Sequence, residues 1–287
     1  MAAVDTSPLV SAAWLAARLG DPRVVVVDTR WYLKDKRGID AYTAGHVPSA
    51  GFADIDGELS ATPGPGRPGR HPLPDAVAFA RVLARLGVTP ASTVVAYDDT
   101  GGSTAARLWW LLRYFGRDIG KVLDGGIQTW IAEGRPLETA TPPRSPALPM
   151  ILVAHPDMVV DKARVKAMVE RGEGILLDAR ASERFEGKIE PVDARPGHIP
   201  GAKSAPFATN LRAPGGRFLA PDELASRYAP LGVGERQPVV AYCGSSVTAC
   251  HDLLGLTLAG HDGALLYEGS WSDWAADLAL EAALGKA

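Results

Sequence analysis

Cysteine is scarce in this 287-residue sequence, and its scarcity excludes several classes of protein. Cys243 and Cys250 alone cannot build a disulfide framework. No further Cys or His lies at the spacing of zinc ligands. The sequence therefore predicts a protein without a metal or another cofactor, kept in a reducing compartment.

Long hydrophobic runs and an excess of one charge are also missing. No apolar run approaches the ~20 residues that span a bilayer, and residues 1–10 lack the basic start of a secretory signal. The 30 basic and 33 acidic side chains nearly balance, which gives a net charge of -3. That balance provides no electrostatic footprint for nucleic acid or anionic membrane, so we expect neither partner. The missing apolar span and secretory signal make the cytoplasm the expected location.

The sequence instead contains one unit used twice. Four short blocks recur in the same order with nearly constant separation, which indicates a duplicated domain. The paired blocks are VVVVDTR (24–30) with ILLDAR (175–180), GHVPSA (45–50) with GHIPGA (197–202), TVVAYD (93–98) with PVVAYC (238–243), and LDGG (123–126) with YEGS (267–270).

The repeats predict two domains joined by a proline-rich linker. Prolines at 142, 143, 146 and 149 disfavour both helix and strand. We therefore expect a first domain over 1–140, a linker over 141–150 and a second domain over 151–287. A second Gly/Pro-rich stretch, 57–74, is expected to be a surface loop within the first domain.

Strand patterns alternate with helical ones in each copy, which predicts an α/β fold. The predicted helices span 81–86, 105–115, 248–259 and 271–284. Strands alternating with helices favour a parallel sheet with helices on both faces. Ligands of such sheets bind at the carboxyl ends of the strands.

The candidate chemistry lies at one such strand end. After the strand pattern 239–242 the chain reads Cys243-Gly244-Ser245-Ser246-Val247-Thr248 and then enters a helix. Small residues let the backbone curl around the thiol, and the N–H groups at a helix start favour an anion there. Cys243 is accordingly a candidate nucleophile, although most free cysteines are buried hydrophobes. Cys250, inside the helix, fits the buried role.

Together these motifs resemble the tandem rhodanese-type sulfurtransferases, in which the second domain keeps the cysteine and the first often has Asp. The resemblance covers nearly the whole chain, from Leu9 to Trp274. It implies that Cys243 takes a sulfur atom from a small anionic donor as a persulfide. A thiol such as thioredoxin, a small thiol or cyanide would then accept it.

The loop sequence resembles the Cys-Gly-Ser-Gly-Val-Thr loop of 3-mercaptopyruvate sulfurtransferases. It carries neutral Gly244 and Val247 where thiosulfate-type members have basic residues, so mercaptopyruvate is the expected donor. Two missing charge-assisted hydrogen bonds would weaken dianion binding by ~3 to 6 kcal/mol. Thiosulfate remains the alternative donor. Ser246 replaces a family glycine, and a positive φ there would cost roughly 1 to 2 kcal/mol.

The resemblance also implies roles for side chains around the thiol. Arg184 and Arg195 match a family stretch whose two arginines hold the donor carboxylate. Ser245 would hydrogen-bond the leaving enolate or the persulfide, and Thr248 would orient the loop or only cap the helix.

Backbone N–H groups of Gly244, Ser246 and Val247 would bind the charged sulfur or the donor. The repeated histidines, His46 and His198, and the repeated Asp-x-Arg pairs are expected to be structural. They occur in both copies, although only one copy has the thiol.

Two other functions compete with sulfur transfer. Dual-specificity phosphatases share this domain type, but their Cys-x5-Arg loop needs an arginine where this chain has Ala249. A rhodanese-like domain that binds without turnover is the second alternative. The retained thiol and loop residues argue against it.

Overall fold

The computed structural model describes residues 7–212, 216–234 and 237–286, and within these ranges the chain forms two five-stranded parallel sheets. Each sheet belongs to one repeat and is covered by helices. The α/β architecture predicted from the repeats is confirmed.

The first sheet comes from the first repeat. Its strands in chain order are β1 (Leu9–Val10), β2 (Val24–Asp28), β3 (Gly51–Phe52), β4 (Thr93–Tyr97) and β5 (Gly120–Leu123). In space the order is β1-β5-β4-β2-β3, with every neighbouring pair parallel. The accompanying helices are α1 (Ala12–Ala16), α2 (Gly38–Ala44), α3 (Ala76–Arg85), α4 (Ala105–Tyr114) and α5 (Gly126–Ala132).

The second sheet repeats this topology. Its strands are β6 (Val159–Val160), β7 (Ile175–Asp178), β8 (Lys203–Ser204), β9 (Val239–Tyr242) and β10 (Leu265–Tyr267), in the spatial order β6-β10-β9-β7-β8. The helices are α6 (Lys162–Arg171), α7 (Ser182–Phe185), α8 (Pro221–Tyr228), α9 (Ala249–Leu258) and α10 (Ser270–Ala276), with 3-10 turns at Pro156–Met158, Phe207–Asn210 and Ala229–Leu231. Each helix within the described ranges is too short or too polar to cross a membrane.

The central strands are buried because helices cover both faces of each sheet. In β2, four consecutive valines supply the β-branched side chains that such strands favour. The neighbouring β4 ends at Tyr97, whose hydroxyl donates to Asp28 Oδ2 at 2.8 Å. The two central strands of each sheet therefore end side by side at the same edge.

Two predicted helices have different bounds in the structure. α3 begins earlier than predicted, because Asp75 accepts a hydrogen bond from the N–H of Ala78 at 2.8 Å and so caps the helix start. α10 ends at Ala276, well before the predicted end at 284. Beyond it the chain turns back, and Ala283 forms a β-bridge with His198.

The repeated motifs that were expected to be structural have structural partners. Arg30 and Arg180 pair with Asp28 and Asp178 at 2.6 Å, and all four residues are buried. His46 stacks on Tyr42 with ring centroids 4.0 Å apart. The equivalent His198 stacks on Phe185 at 3.7 Å. These contacts recur in both repeats and do not depend on the thiol.

The two repeats meet through α4 and α9, which follow equivalent strands. One hydrophobic cluster runs through both repeats and includes Trp109, Trp110 and Leu254. His251 on α9 shares a hydrogen bond of 3.1 Å with the carbonyl of Gly101 in the first repeat. The repeats therefore share a core across their interface.

Two connecting segments make hydrogen bonds to the rest of the fold that their composition does not predict. Residues 141–150 contain no helix or strand, yet Arg144 donates to the carbonyl oxygens of Leu86 and Val26 at 2.7 and 3.2 Å. The segment 57–74, predicted to be a surface loop, packs against the second repeat: the N–H of Arg70 donates to Ser272 Oγ at 3.0 Å.

Candidate active site

Cys243 directly follows β9, at the carboxyl end of the central strand of the second sheet. Its N–H donates to Ser270 Oγ at 3.2 Å, and its Sγ accepts the N–H of Ser245 at 3.4 Å. Only 2% of the residue is exposed. The sulfur thus lies at the edge of the core cluster with one backbone N–H directed at it.

The remaining loop residues have distinct roles. Ser246 has a φ of +66°, the left-handed conformation that favours glycine, so the sequence departure at this position does introduce strain. Val247 packs its side chain into the core cluster, which leaves only its backbone for a ligand. Thr248 occupies the N-cap position of α9, but its side chain makes no capping hydrogen bond.

Cys250 is buried at 0% exposure, and its Sγ donates to the carbonyl of Ser246 at 3.3 Å. Burial raises the pKa of this thiol to about 12. The structure therefore agrees with the packing role expected for Cys250.

A hydrogen-bonded chain crosses from the first repeat to the loop that carries Cys243. Ser245 Oγ lies 2.7 Å from His71 Nδ1, and His71 Nε2 lies 2.8 Å from Asp56 Oδ1. Asp56 also accepts the indole N–H of Trp31 at 2.9 Å, and the Trp31 ring meets His71 edge to face. Asp56 and Trp31 together fix the orientation of the imidazole.

The direction of these hydrogen bonds follows from charge. Burial lowers the pKa of His71 below its ordinary value of 6.5, so the ring carries a single proton near neutral pH. A carboxylate can only accept, so that proton lies on Nε2 toward Asp56. Nδ1 is then an acceptor, and the Ser245 hydroxyl donates to it. The arrangement can pass a proton between His71 and a group next to Ser245.

Two guanidinium groups lie over Gly244. A methyl group built on Gly244 would be 3.1 Å from Arg70 Nη2 and 3.6 Å from Arg184 Nη1. Asp193 forms ion pairs with both arginines: Oδ1 lies 2.5 Å from Arg70 Nη1, and Oδ2 lies 3.1 Å from Arg184 Nη2. Glu190 adds a contact of 2.6 Å to Arg184. Arg184 thus lies beside the Cys243 loop, and the second arginine there, Arg70, comes from the first repeat.

The predicted role of Arg195 is wrong. Its guanidinium donates to four backbone carbonyl oxygens around the end of α10, at 2.8 to 3.2 Å. These acceptors belong to Trp274, Ala275, Asp277 and Leu280. Arg195 therefore satisfies the free carbonyls where α10 ends, and Arg70 takes the place expected for it near the loop.

A cavity of about 490 Å³ opens beside these groups. Both repeats contribute to it, with aromatic, apolar and charged side chains. Its lining residues are Trp31, Leu33, Lys34, Asp56, Pro63, Arg70, His71, Pro191 and Val192. A small anionic molecule entering here meets Arg70 and His71 next to the loop that carries Cys243.

The sequence prediction missed Asp56, Arg70 and His71. They lie in or beside the 57–74 segment, which has no helical or strand periodicity. One signal was present: the adjacent Arg70 and His71, a cation and an imidazole, stand in a stretch otherwise rich in Gly and Pro. Because binding and catalytic residues are often carried on loops, this pair was a signal for a site in the segment.

Comparison with known proteins agrees with this architecture. The family described as "Rhodanese-like domain" matches residues 11–133 and 161–277. A Pseudomonas aeruginosa protein named "Probable 3-mercaptopyruvate sulfurtransferase" is 44% identical over 279 residues, covering 96% of this chain and 97% of the relative.

Two further relatives widen the comparison. "Thiosulfate/3-mercaptopyruvate sulfurtransferase 2" of Arabidopsis thaliana is 34% identical over 293 residues, covering 93% of this chain and 84% of the relative. The crystal structure of SseA from Escherichia coli, described as a 3-mercaptopyruvate sulfotransferase with the rhodanese fold, has a TM-score of 0.81 and 32% identity. It covers 93% of this chain and 99% of that one.

Proposed function

The chain belongs to the rhodanese family, and we propose on that premise that it transfers sulfur from 3-mercaptopyruvate to a thiol or cyanide through a persulfide on Cys243. One observation carries the proposal: the Cys243 sulfur sits beside the Ser245 N–H, in a loop that Ser245 links to His71 and Asp56. A nucleophile and a proton relay thus lie side by side where the two repeats meet.

The first step moves sulfur from carbon to cysteine. The Cys243 thiolate bonds to the donor sulfur, the carbon–sulfur bond breaks, and its electron pair stays on the three-carbon fragment as an enolate. The proton of the donor thiol ends on the methylene carbon of the enolate, so pyruvate leaves while Cys243 holds the persulfide. Ser245, which donates to His71, is positioned to take up that proton as it passes its own to His71, and to return it to the enolate.

The second step regenerates the thiol. An acceptor thiolate attacks the outer sulfur of the persulfide, the sulfur–sulfur bond breaks, and its electron pair returns to Cys243. We propose a thiol such as thioredoxin or a small thiol as acceptor, with cyanide as an alternative. The location proposed for this chemistry is the cytoplasm, where thiols stay reduced.

The charges near the loop favour a monoanionic donor. Arg70 and Arg184 bring two positive charges to Gly244, but Asp193 and Glu190 balance them. A donor carboxylate can still bind the guanidinium nitrogens that face Gly244. A dianion such as thiosulfate meets no excess of positive charge, so mercaptopyruvate remains the preferred donor.

We retain the division into a first domain over 1–140, a linker over 141–150 and a catalytic domain over 151–287 as a proposal. The first domain has Asp98 in place of the cysteine, but in this proposal it is more than a scaffold, because it supplies Asp56, Arg70 and His71. The substrate cleft then lies between the domains, where the lining of the cavity comes from both.

Mass spectrometry of the intact protein tests this function. Incubation with mercaptopyruvate is expected to add one sulfur atom to Cys243, located by peptide mapping, and Cys243→Ser is expected to remain unmodified. Steady-state rates with mercaptopyruvate and thiosulfate, measured side by side, decide the donor. An unmodified Cys243 with both donors would leave a binding role without turnover as the better interpretation.

A further inference from the structure

Arg107 is a fully buried arginine at the interface between the repeats. It lies on α4, where every residue of the stretch 105–112 is buried. Among the described residues, no carboxylate oxygen lies within 4 Å of its guanidinium. A buried charge without an ion pair is unfavourable unless its hydrogen bonds are satisfied. Its acceptors therefore indicate why the residue is there.

The acceptors of Arg107 lie on both halves of the candidate site. Nη2 donates to the carbonyl of His71 at 3.2 Å, and Nη1 donates to Ser246 Oγ at 3.1 Å. Nε donates to the carbonyl of Leu59 at 3.3 Å. His71 belongs to the first repeat, whereas Ser246 belongs to the catalytic loop of the second.

The Arg107 side chain thus holds the His71 backbone and Ser246, which flank the hydrogen bond between His71 and Ser245. The guanidinium fork is planar, so it sets the separation between the His71 backbone and Ser246. The His71 ring and the adjacent Ser245 make the hydrogen bond of 2.7 Å. The fork also holds Ser246, whose φ of +66° is strained for a serine.

We propose that Arg107 is a positioning residue for sulfur transfer: it keeps His71 aligned with Ser245 across the interface between the repeats. This inference rests on the proposed function, because the alignment matters only if Ser245 and His71 serve the leaving fragment. Arg107 itself is not among the residues that line the cavity. Its effect therefore passes through His71 and Ser246.

Loss of Arg107 is expected to affect kcat, KM and the reactivity of the Cys243 thiol differently. Loss of Arg107 lets His71 and Ser245 move apart, so proton delivery slows and kcat falls. KM for mercaptopyruvate changes little, because Arg70 and Arg184 bind the donor independently. The reactivity of the Cys243 thiol toward a simple alkylating agent also changes little, because alkylation needs no proton relay.

Arg107→Met tests this separation in the full-length protein. We expect kcat with mercaptopyruvate to fall by about tenfold or more. KM and the rate at which iodoacetamide alkylates Cys243 should stay within about threefold. Alkylation is followed on the Cys243 peptide, which distinguishes it from Cys250. Arg107→Lys keeps the charge and one hydrogen bond and is expected to restore part of kcat.

Arg144→Met is the matched control. Arg144, in the linker, is a half-buried arginine that donates to backbone carbonyl oxygens, those of Leu86, Val26 and Ser49, away from the cavity. Its loss should lower thermal stability without changing the ratio of mercaptopyruvate turnover to Cys243 alkylation. This control measures the structural effect of losing an arginine that donates to backbone carbonyl oxygens, apart from any effect on the site.

The outcomes are distinct. The positioning role is overturned if turnover and Cys243 alkylation fall in proportion in Arg107→Met. It is also overturned if the loss of kcat in the double variant equals the full sum, in free energy, of the losses in Arg107→Met and His71→Gln. If Arg107→Met does not fold, Ser246→Ala removes one acceptor, and an unchanged ratio there overturns the role instead. Wild-type protein without mercaptopyruvate turnover contradicts the proposed function itself.

Discussion

Asp98 and Cys243 hold equivalent positions in the two repeats, each directly after the central strand of its sheet. The Asp98 carboxylate fills the loop that follows it and accepts four backbone N–H groups at 2.7 to 2.9 Å. The donors are Thr100, Gly102, Thr104 and Ala105. The first loop is thus suited to an anionic group, and in the second repeat the Cys243 sulfur takes the equivalent position and accepts the N–H of Ser245.

Replacement of Asp98 by alanine should destabilise the first repeat. The substitution leaves several buried N–H groups without an acceptor, and each such group costs ~1 kcal/mol or more. We expect a loss of about 2 to 4 kcal/mol in the free energy of unfolding, measured by denaturant titration. Asp98→Asn keeps an acceptor oxygen, so its free energy of unfolding is expected to lie between those of wild type and Asp98→Ala. Equal stability of all three proteins would refute this account of the carboxylate.

The parts of the site that were predictable from sequence are those determined by local pattern. Cys243 and Ser245 follow a buried strand and precede a helix, so their place at the sheet edge follows from the chain around them. Arg184 lies shortly after the Asp-x-Arg motif of the second repeat, 178–180, and the family resemblance identified it as a candidate. The parallel sheets follow from the alternation of strand and helix patterns in each copy.

The parts that were not predictable depend on contacts between distant segments. His71 meets Ser245 across the interface between the repeats, and no periodic pattern in the 57–74 segment indicates that contact. Arg195 was misassigned because its acceptors are carbonyl oxygens at the end of α10, a position that depends on how the C-terminal segment turns back. Spacing along the chain does not give the direction of a side chain.

Removal of the imidazole is expected to lower turnover rather than thiol reactivity. His71→Gln keeps a hydrogen-bonding side chain but cannot relay a proton, so kcat with mercaptopyruvate should fall by about 10² to 10⁴. The rate of iodoacetamide alkylation at Cys243 should stay nearly constant. Rapid-mixing kinetics of persulfide formation measure the first quantity and peptide mass spectrometry the second; normal persulfide formation in His71→Gln would exclude the relay.

The carboxylate clamp predicts a difference between donors. Arg184→Ala is expected to weaken mercaptopyruvate use far more than thiosulfate use. One charge-assisted hydrogen bond is worth ~1.5 to 3 kcal/mol, so KM for mercaptopyruvate should rise by about 10-fold to 100-fold. Arg70→Ala should behave in the same way, because both guanidiniums face Gly244.

Arg195→Ala serves as the control for that clamp. It removes a guanidinium from the same segment, but one that is bonded to carbonyl oxygens at the end of α10. Its loss should lower the melting temperature and leave KM unchanged. An equal rise in KM for Arg184→Ala and Arg195→Ala, or an equal loss with both donors, would remove the clamp role.

Asp252 makes the stability of the fold depend on pH. It is fully buried on α9, where Asn210 and Tyr228 both donate to Oδ1, at 2.8 and 3.3 Å. Among the described residues, Oδ2 has no hydrogen-bond partner. Burial raises the pKa of Asp252 to about 7 from an ordinary value of 3.8. The folded protein therefore holds a proton that the unfolded chain has already lost.

The sign of the effect follows from this difference in bound protons. A raised folded-state pKa contributes stability that is present in full below about pH 4 and is lost as the pH rises through about 7. Asp252→Asn keeps the shape and an acceptor oxygen but carries no charge at any pH. We expect it to stabilise the protein relative to wild type by a few kcal/mol at pH 8, because tenfold weaker ionisation of the folded carboxyl corresponds to about 1.4 kcal/mol. The advantage should shrink toward pH 5.

Thermal unfolding of Asp252→Asn and wild type at pH 5 and pH 8 measures this difference. The exposed Asp222→Asn is the control, because its carboxyl is hydrated in both the folded and the unfolded chain. That variant should follow wild type at both pH values. An advantage of Asp252→Asn that stays constant from pH 5 to pH 8 would mean that Asp252 has the same proton affinity in the folded and unfolded chain.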